Sequence, residues 1–235
     1  MKKLSLVMVA MAMIFTSCEK VTGEGPIVTQ TRNVQDFAGV DLRSSANVYF
    51  KQDPNFKVEV SAQQNVLDVL EVYVSNNRLV VRFKNDVRVK SHEPVSVIVH
   101  APSVSSFRVS GSGMIQTTST IQTPLLNMDI SGSGDIKITE LLAANVDANI
   151  SGSGSINVDA GTAQELDLKI SGSGRHNFSN LQSTSATTNT SGSGDIRLHA
   201  TQQLQIKISG SGSVYYKGTP VISTNISGSG KVRPI

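Results

Sequence analysis

Asp147 and Asp167 stand twenty residues apart, at matching places in two copies of an internal repeat. If those copies stack as neighbouring rungs, the carboxylates come within about one strand spacing, roughly 5 Å. That separation suits a retaining glycosidase, one group acting as nucleophile and the other as acid and base, or a cation held by oxygen ligands. Lys169 follows two residues later, so the pair also reads as a solvated acidic strip with its own counter-charge, and no histidine or arginine converges on it. His92, His100 and His199 fall among polar residues at no metal-ligand spacing. His176 takes an apolar position of the repeat, close to Thr188 and Thr190, which do the same. Imidazole and hydroxyls are expected to satisfy one another in the core, or to hold a water or small ligand there. Asp135 and Asp195 directly follow a glycine-rich corner, but a calcium-binding β-roll needs an aspartate in every repeat. None of the corners carries the third glycine of a dinucleotide fingerprint or the Gly-Lys-Ser/Thr of a phosphate loop. Neither a cofactor nor a metal is expected.

A further candidate is a polar column: Lys137, Asn157, Asn177, Arg197, Tyr215 and Arg233. Amide, guanidinium and phenol groups repeated at about 4.8 Å per step can hydrogen-bond and stack against an extended glycan or peptide without a deep pocket. Each contact would be weak and their sum useful. The competing reading is the ordinary polar face of a solvated strand.

The repeat itself must position all of these groups. Ser-Gly-Ser-Gly begins at Ser110, Ser131, Ser151, Ser171, Ser191, Ser209 and Ser227, at spacings of 18 to 21 residues, a period that signals a solenoid. Apolar residues hold fixed offsets around it, such as Val109, Ile130, Ile150, Ile170, Ile208 and Ile226 just before and Ile115, Ile136, Ile156, Ile196, Val214 and Val232 two residues after. Polar residues alternate with them, so each repeat predicts two half-buried strands around a tight corner. Glycine there supplies positive φ and lets successive backbones stack closely. A lone repeat cannot bury enough to order itself, and neighbouring rungs must share their cores.

The first hundred residues are less regular. Val40, Leu42, the run Arg43-Ser44-Ser45-Ala46, Val48 and Phe50 keep the offsets without glycine and predict a degenerate copy. Strands are expected near 57–61, 71–74, 78–83 and 95–100, with Asn76-Asn77 as a turn. The stretch 63–70 is either one helical turn or a loop. A single domain over 29–235 is expected, irregular over 29–106 and regular over 107–235.

Composition supports the same class. Aromatics make up 5%, charged residues 17%, and tryptophan is absent, which argues against a helical protein. The net charge of +3 includes Lys2 and Lys3. Without them 19 basic residues face 18 acidic ones, and the case for nucleic acid disappears. Those lysines precede an apolar run, Leu4 to Phe15, too short to span a bilayer and laid out as a secretory signal over 1–17. The chain's one cysteine, Cys18, stands where small residues mark cleavage, an arrangement similar to the lipobox whose cysteine thiol is acylated. Residues 18–28, with Gly23, Gly25 and Pro26, then read as a tether between lipid and domain. The expected address is the cell envelope, lipid-anchored in the outer membrane on its periplasmic or surface side.

The stretch Phe37-Ala38-Gly39-Val40-Asp41-Leu42, the Ser-Gly-Ser-Gly ladder with Asp135-Ile136 and Asp195-Ile196 behind it, and the lipobox together resemble the head GIN domain family of autotransporter adhesins in Bacteroidetes envelopes. The resemblance implies an all-β fold, a right-handed single-stranded parallel β-helix, and a role in adhesion without a catalytic motif. The expected function is therefore a lipid-anchored binding module for a glycan or protein, with self-association open. The alternatives are a carbohydrate-active enzyme, a polysaccharide lyase or hydrolase built on the helix, or a structural envelope scaffold.

Overall fold

The computed structural model of this protein describes residues 19–90 and 92–235; the expected signal peptide and Cys18 lie outside them. The chain opens with β1 (Glu19–Val21) and β2 (Ile27–Thr31), then forms the glycine-free first copy as β3 (Gly39–Arg43) and β4 (Asn47–Gln52). Next come β5 (Lys57–Gln63), a single helical turn α1 (Gln64–Leu67), the hairpin of β6 (Leu70–Ser75) and β7 (Arg78–Phe83), then β8 (Val87–Val89) and β9 (Ser96–Ala101). The regular coils are β10 (Ser106–Gly111), β11 (Met114–Thr117), β12 (Thr120–Gly132), β13 (Asp135–Ile138), β14 (Glu140–Gly152), β15 (Ser155–Val158) and β16 (Gly161–Gly172). After them β17 (Arg175–Gly192) and β18 (Asp195–Gly210) each run through more than one face, and β19 (Ser213–Lys217), β20 (Val221–Gly228) and β21 (Lys231–Pro234) close the chain.

The fold is all-β, a solenoid of parallel coils of about six turns. Successive coils pair in register at equivalent repeat positions, Ile130 with Ile150 and Ile150 with Ile170, Ile136 with Ile156. These side chains are buried, as are Phe107, Met128 and Leu168 in the neighbouring inward column. The period-two alternation thus becomes a stack of identical residues, and the hydrophobic effect acts along the axis as well as across it.

The corners show why glycine is needed. Gly152 has φ 133°, in the region that favours glycine. Gly154 has an ordinary φ, but a Cβ there would drive into the Gly134 carbonyl oxygen of the coil below and against Ile130. That close approach lets the corner amides bond down the stack, Ser153 N–H donating to the Gly132 carbonyl and Ser173 N–H to that of Gly152, both at 2.9 Å. The first copy dispenses with glycine because its lower neighbours are β7 and β9, which pair with β3 and β4 but are not joined to each other by such a corner.

Three features differ from expectation. First, the long strands bend. In β12 the adjacent Pro124 and Leu125 are both exposed between buried Thr123 and Leu126, and in β16 Gln164 and Glu165 do the same between Ala163 and Leu166. Two outward residues in succession reset the alternation, which creates a third, shorter face. Second, the N-terminal end is not purely parallel. β3 lies between β7 and β10, while β5 runs antiparallel to both β2 and β9, and β6 to β7. Residues 53–105 therefore cover one end of the stack, and Asn76 and Asn77 turn the hairpin at φ 50° and 60°. Third, the stretch expected to be a free tether is partly docked. β1 pairs with β8, and β2 lies along β5. Asn65 holds the loop between them, donating from Nδ2 to the Thr22 carbonyl at 2.7 Å and accepting from the Glu24 N–H at 3.1 Å. An unpaired edge of β5 offers backbone groups that the tether satisfies.

Candidate functional site

The polar column exists in the register expected of it. Lys137 pairs with Asn157, Asn157 with Asn177, Asn177 with Arg197, Arg197 with Tyr215 and Tyr215 with Arg233. Its members are largely engaged with one another or with their own strands. Lys137 faces Asp159 at 3.7 Å, Asn157 donates to the Ser155 hydroxyl at 3.2 Å and Asn177 accepts from Ser179 at 2.9 Å. The Arg197 guanidinium lies over the Tyr215 ring, 5.1 Å from its centroid, a cation–π contact.

Three depressions of the surface lie elsewhere, on the face formed by the strand segments that lead into the Ser-Gly corners. One of about 600 Å³ follows the bend of the long strands and is lined by Asn145, Asp147, Glu165, Asp167, Ser185 and Gln205 among others. A second, of about 530 Å³, lies beside the corners between Arg108, Asp129, Asn149, Lys169, Asn189 and the serines 110 to 191 of the motif. A third, of about 310 Å³, carries on through Asn189, Lys207 and Asn225 to the last coil. Asp167 is shared by the first and third, and Lys169 by the second and third. Together they make one trough across the strands from β10 to β20, roughly 30 Å long at one strand spacing per coil. None of the six column residues lines it.

Asp147 and Asp167 come together as expected, paired in register on β14 and β16 in the trough floor. Asp167 is committed, however. Its Oδ2 accepts from Lys169 Nζ at 2.5 Å, and its Oδ1 is buried without a partner. That hydrogen bond, with the charges of Asp167 and Asp147 behind it, holds the Lys169 ammonium above its ordinary pKa. Lysine thus offsets one of the two charges, and no histidine lines the trough around the carboxylates. Among the described residues no group of three or more His, Cys, Asp or Glu is placed to hold a metal.

His176 is fully buried, but its partner is not a threonine. Nε2 lies 3.1 Å from the Lys169 carbonyl, which makes Nε2 the protonated nitrogen and leaves Nδ1 an unpartnered acceptor. The ring stands edge-on to Phe178, at 5.6 Å between centroids. Thr188 turns its hydroxyl to the Gln205 carbonyl at 3.5 Å, and the Thr190 hydroxyl finds no partner. Backbone carbonyls of adjacent strands lie within reach, so the expected imidazole–hydroxyl network is replaced by side chain to backbone bonds. Cys18 lies outside the described residues. Sequence reasoning missed the trough; its signal is the doubled outward residues at Pro124-Leu125 and Gln164-Glu165.

Solved structures share the whole architecture. A putative adhesin from Bacteroides fragilis superposes with a TM-score of 0.85 at 24% identity, covering 92% of this chain and all of its own. A putative adhesin and a putative lipid binding protein, both from Parabacteroides distasonis, follow at TM-scores of 0.77 and 0.73, with 22% and 24% identity and the same coverage. At such identities the likeness speaks for the fold. No curated protein matches the chain. A family model does, over residues 36–220, from the first repeat copy through every coil but the last. The chain therefore belongs to the family described as putative auto-transporter adhesin, head GIN domain.

Proposed function

We propose that this chain is a lipid-attached envelope module that binds an extended polymer along its stack without catalysing a reaction. The observation that carries this reading is the long polar trough, in which a motif serine recurs once per coil beside the row Arg108, Asp129, Asn149, Lys169, Asn189 and Lys207. A ligand that crosses the coils meets a polar side chain and a serine at each step, so affinity grows with ligand length. A compact substrate would need groups converging on one point. Membership in an adhesin family and the names of its structural relatives support binding over turnover. Attachment through an acylated Cys18 at the outer membrane belongs to the same proposal.

A second reading places the ligand on the column from Lys137 to Arg233, favoured by the Arg197–Tyr215 cation–π pair, which offers a stacking surface. An array of glycans and matrix proteins separates the two. Asn149→Ala/Asn189→Ala should weaken retention of long ligands at least about tenfold, with Arg197→Ala/Tyr215→Ala close to wild type. The reverse pattern assigns the column, and full retention by both variants overturns the proposal. Polysaccharide turnover abolished by Asp167→Asn would replace binding with catalysis. Cys18→Ala should leave an unprocessed or mislocalised precursor, and a mature, membrane-bound variant removes the anchor from the reading.

A further inference from the structure

The two ends of the solenoid are built differently. At the N-terminal end the antiparallel strands fold over the stack, whereas at the other end β20 pairs only with β18 and β21 only with β19 among the described residues. β20 is exposed at every residue, including side chains whose equivalents one coil earlier, Leu204, Ile206 and Ile208, are buried. Val221 is 80% exposed, Ile222 37%, Ile226 42% and Ile235 54%. Of these, Ile222 and Ile226 continue the buried column, Val221 is in register with exposed Gln203, and Ile235 follows β21.

An open strand edge invites pairing, and proteins guard such edges with lysine, arginine or proline. β21 is guarded in this way, by Lys231, Arg233 and Pro234; β20, Val-Ile-Ser-Thr-Asn-Ile-Ser-Gly, carries no charge and no proline. Its core-facing residues also read the same in both directions, Ile222, Thr224, Ile226. Laid antiparallel against a copy of itself about a two-fold axis at Thr224, each Ile222 meets the other chain's Ile226 and Thr224 meets Thr224. The two cores then become continuous, and the charged β21 strands are not required to pair with each other.

We propose that this end docks a second copy of the same chain, β20 against β20, to give a closed two-fold dimer. The covered N-terminal end offers no matching coil, so association stops at two. The contact covers Ile222, Ile226 and the free backbone edge of β20 in each copy, which places it at the small end of specific interfaces.

The chain from residue 19 onward, which contains every described element and no cysteine, is the material for the test. Sedimentation equilibrium from about 1 to 200 µM should show a monomer–dimer equilibrium with no higher species. Thr224→Lys places two ammonium groups opposite each other at an exposed position, and should raise the dimer dissociation constant at least about tenfold with the thermal midpoint of the dilute monomer unchanged. Thr224→Cys should form an intermolecular disulfide under air, because directly opposed residues of an antiparallel pair have Cα atoms about 4.5 to 5.5 Å apart, inside the disulfide range. A wild type that stays monomeric throughout, or a dimer indifferent to Thr224→Lys and not captured by Thr224→Cys, overturns the proposal and leaves the edge to a partner of other chemistry.

Discussion

Acid should weaken the middle of the stack through His176. Burial pushes this imidazole down from 6.5 to about 4, the bond to the Lys169 carbonyl opposing the shift only in part. Above pH 6.5 the ring is neutral folded or unfolded, and its titration leaves stability unchanged. Between 6.5 and 4 the unfolded chain takes up a proton that the folded chain refuses, so stability falls as pH falls. A gap of about 2.5 pKa units corresponds to about 3.4 kcal/mol in full, with about 1.5 lost by pH 5.5 and about 2.5 by pH 4.5. Carboxylates titrate in the lower part of this window too, so the measurement is a difference between proteins. His176→Ile restores the residue that its column carries at Ile156 and Ile196 and removes the unpartnered Nδ1. Urea unfolding of wild type and variant at pH 7, 5.5 and 4.5 should give stabilities within about 1 kcal/mol of each other at pH 7, diverging by about 2.5 kcal/mol at pH 4.5 in favour of the isoleucine. Parallel losses in the two proteins would refute a histidine kept neutral by burial.

Two further substitutions test the corner and the ladder. Gly154→Ala should destabilise by about 3 kcal/mol because its Cβ meets backbone in the coil below, while exposed Ser153→Ala should stay within about 0.5 kcal/mol; equal thermal midpoints would show that the corners do not stack tightly. Ile150→Asp buries a carboxylate between Ile130 and Ile170 and should cost more than about 4 kcal/mol, whereas Asn149→Asp, which loses the 3.3 Å bond to Asp129 and sets two carboxylates opposite each other, should cost about 1 kcal/mol. Similar denaturation curves for those two would place the alternation in the opposite phase.

Much of the molecule was legible from its amino acids because a coil's neighbour is always one period away. Ile130, Ile150 and Ile170 could be stacked from their spacing alone, and so could Asp147 with Asp167 and each step of the column from Lys137 to Arg233. Strand alternation is equally local, which is why inward and outward residues, and the glycine-free first copy at β3 and β4, were readable before any fold. The tertiary structure alone decided what has no period. β3 sits between β7 and β10, its paired residues there lying 39 and 67 positions on in sequence in strands that share no repeat with each other, and Asp41 is buried there against Arg43 and in register with buried Val80, although the later members of its column are polar and more exposed. The carboxylate pair and its Lys169 counter-charge were found by spacing, but that Asp167 Oδ1 is buried without a partner and that a depression runs past the pair was not. His176 likewise took its hydrogen bond from a backbone carbonyl instead of a threonine. A hydrogen-bond partner and the curvature of a surface depend on which distant backbone arrives within 3 Å, and neither periodicity nor residue type carries that information.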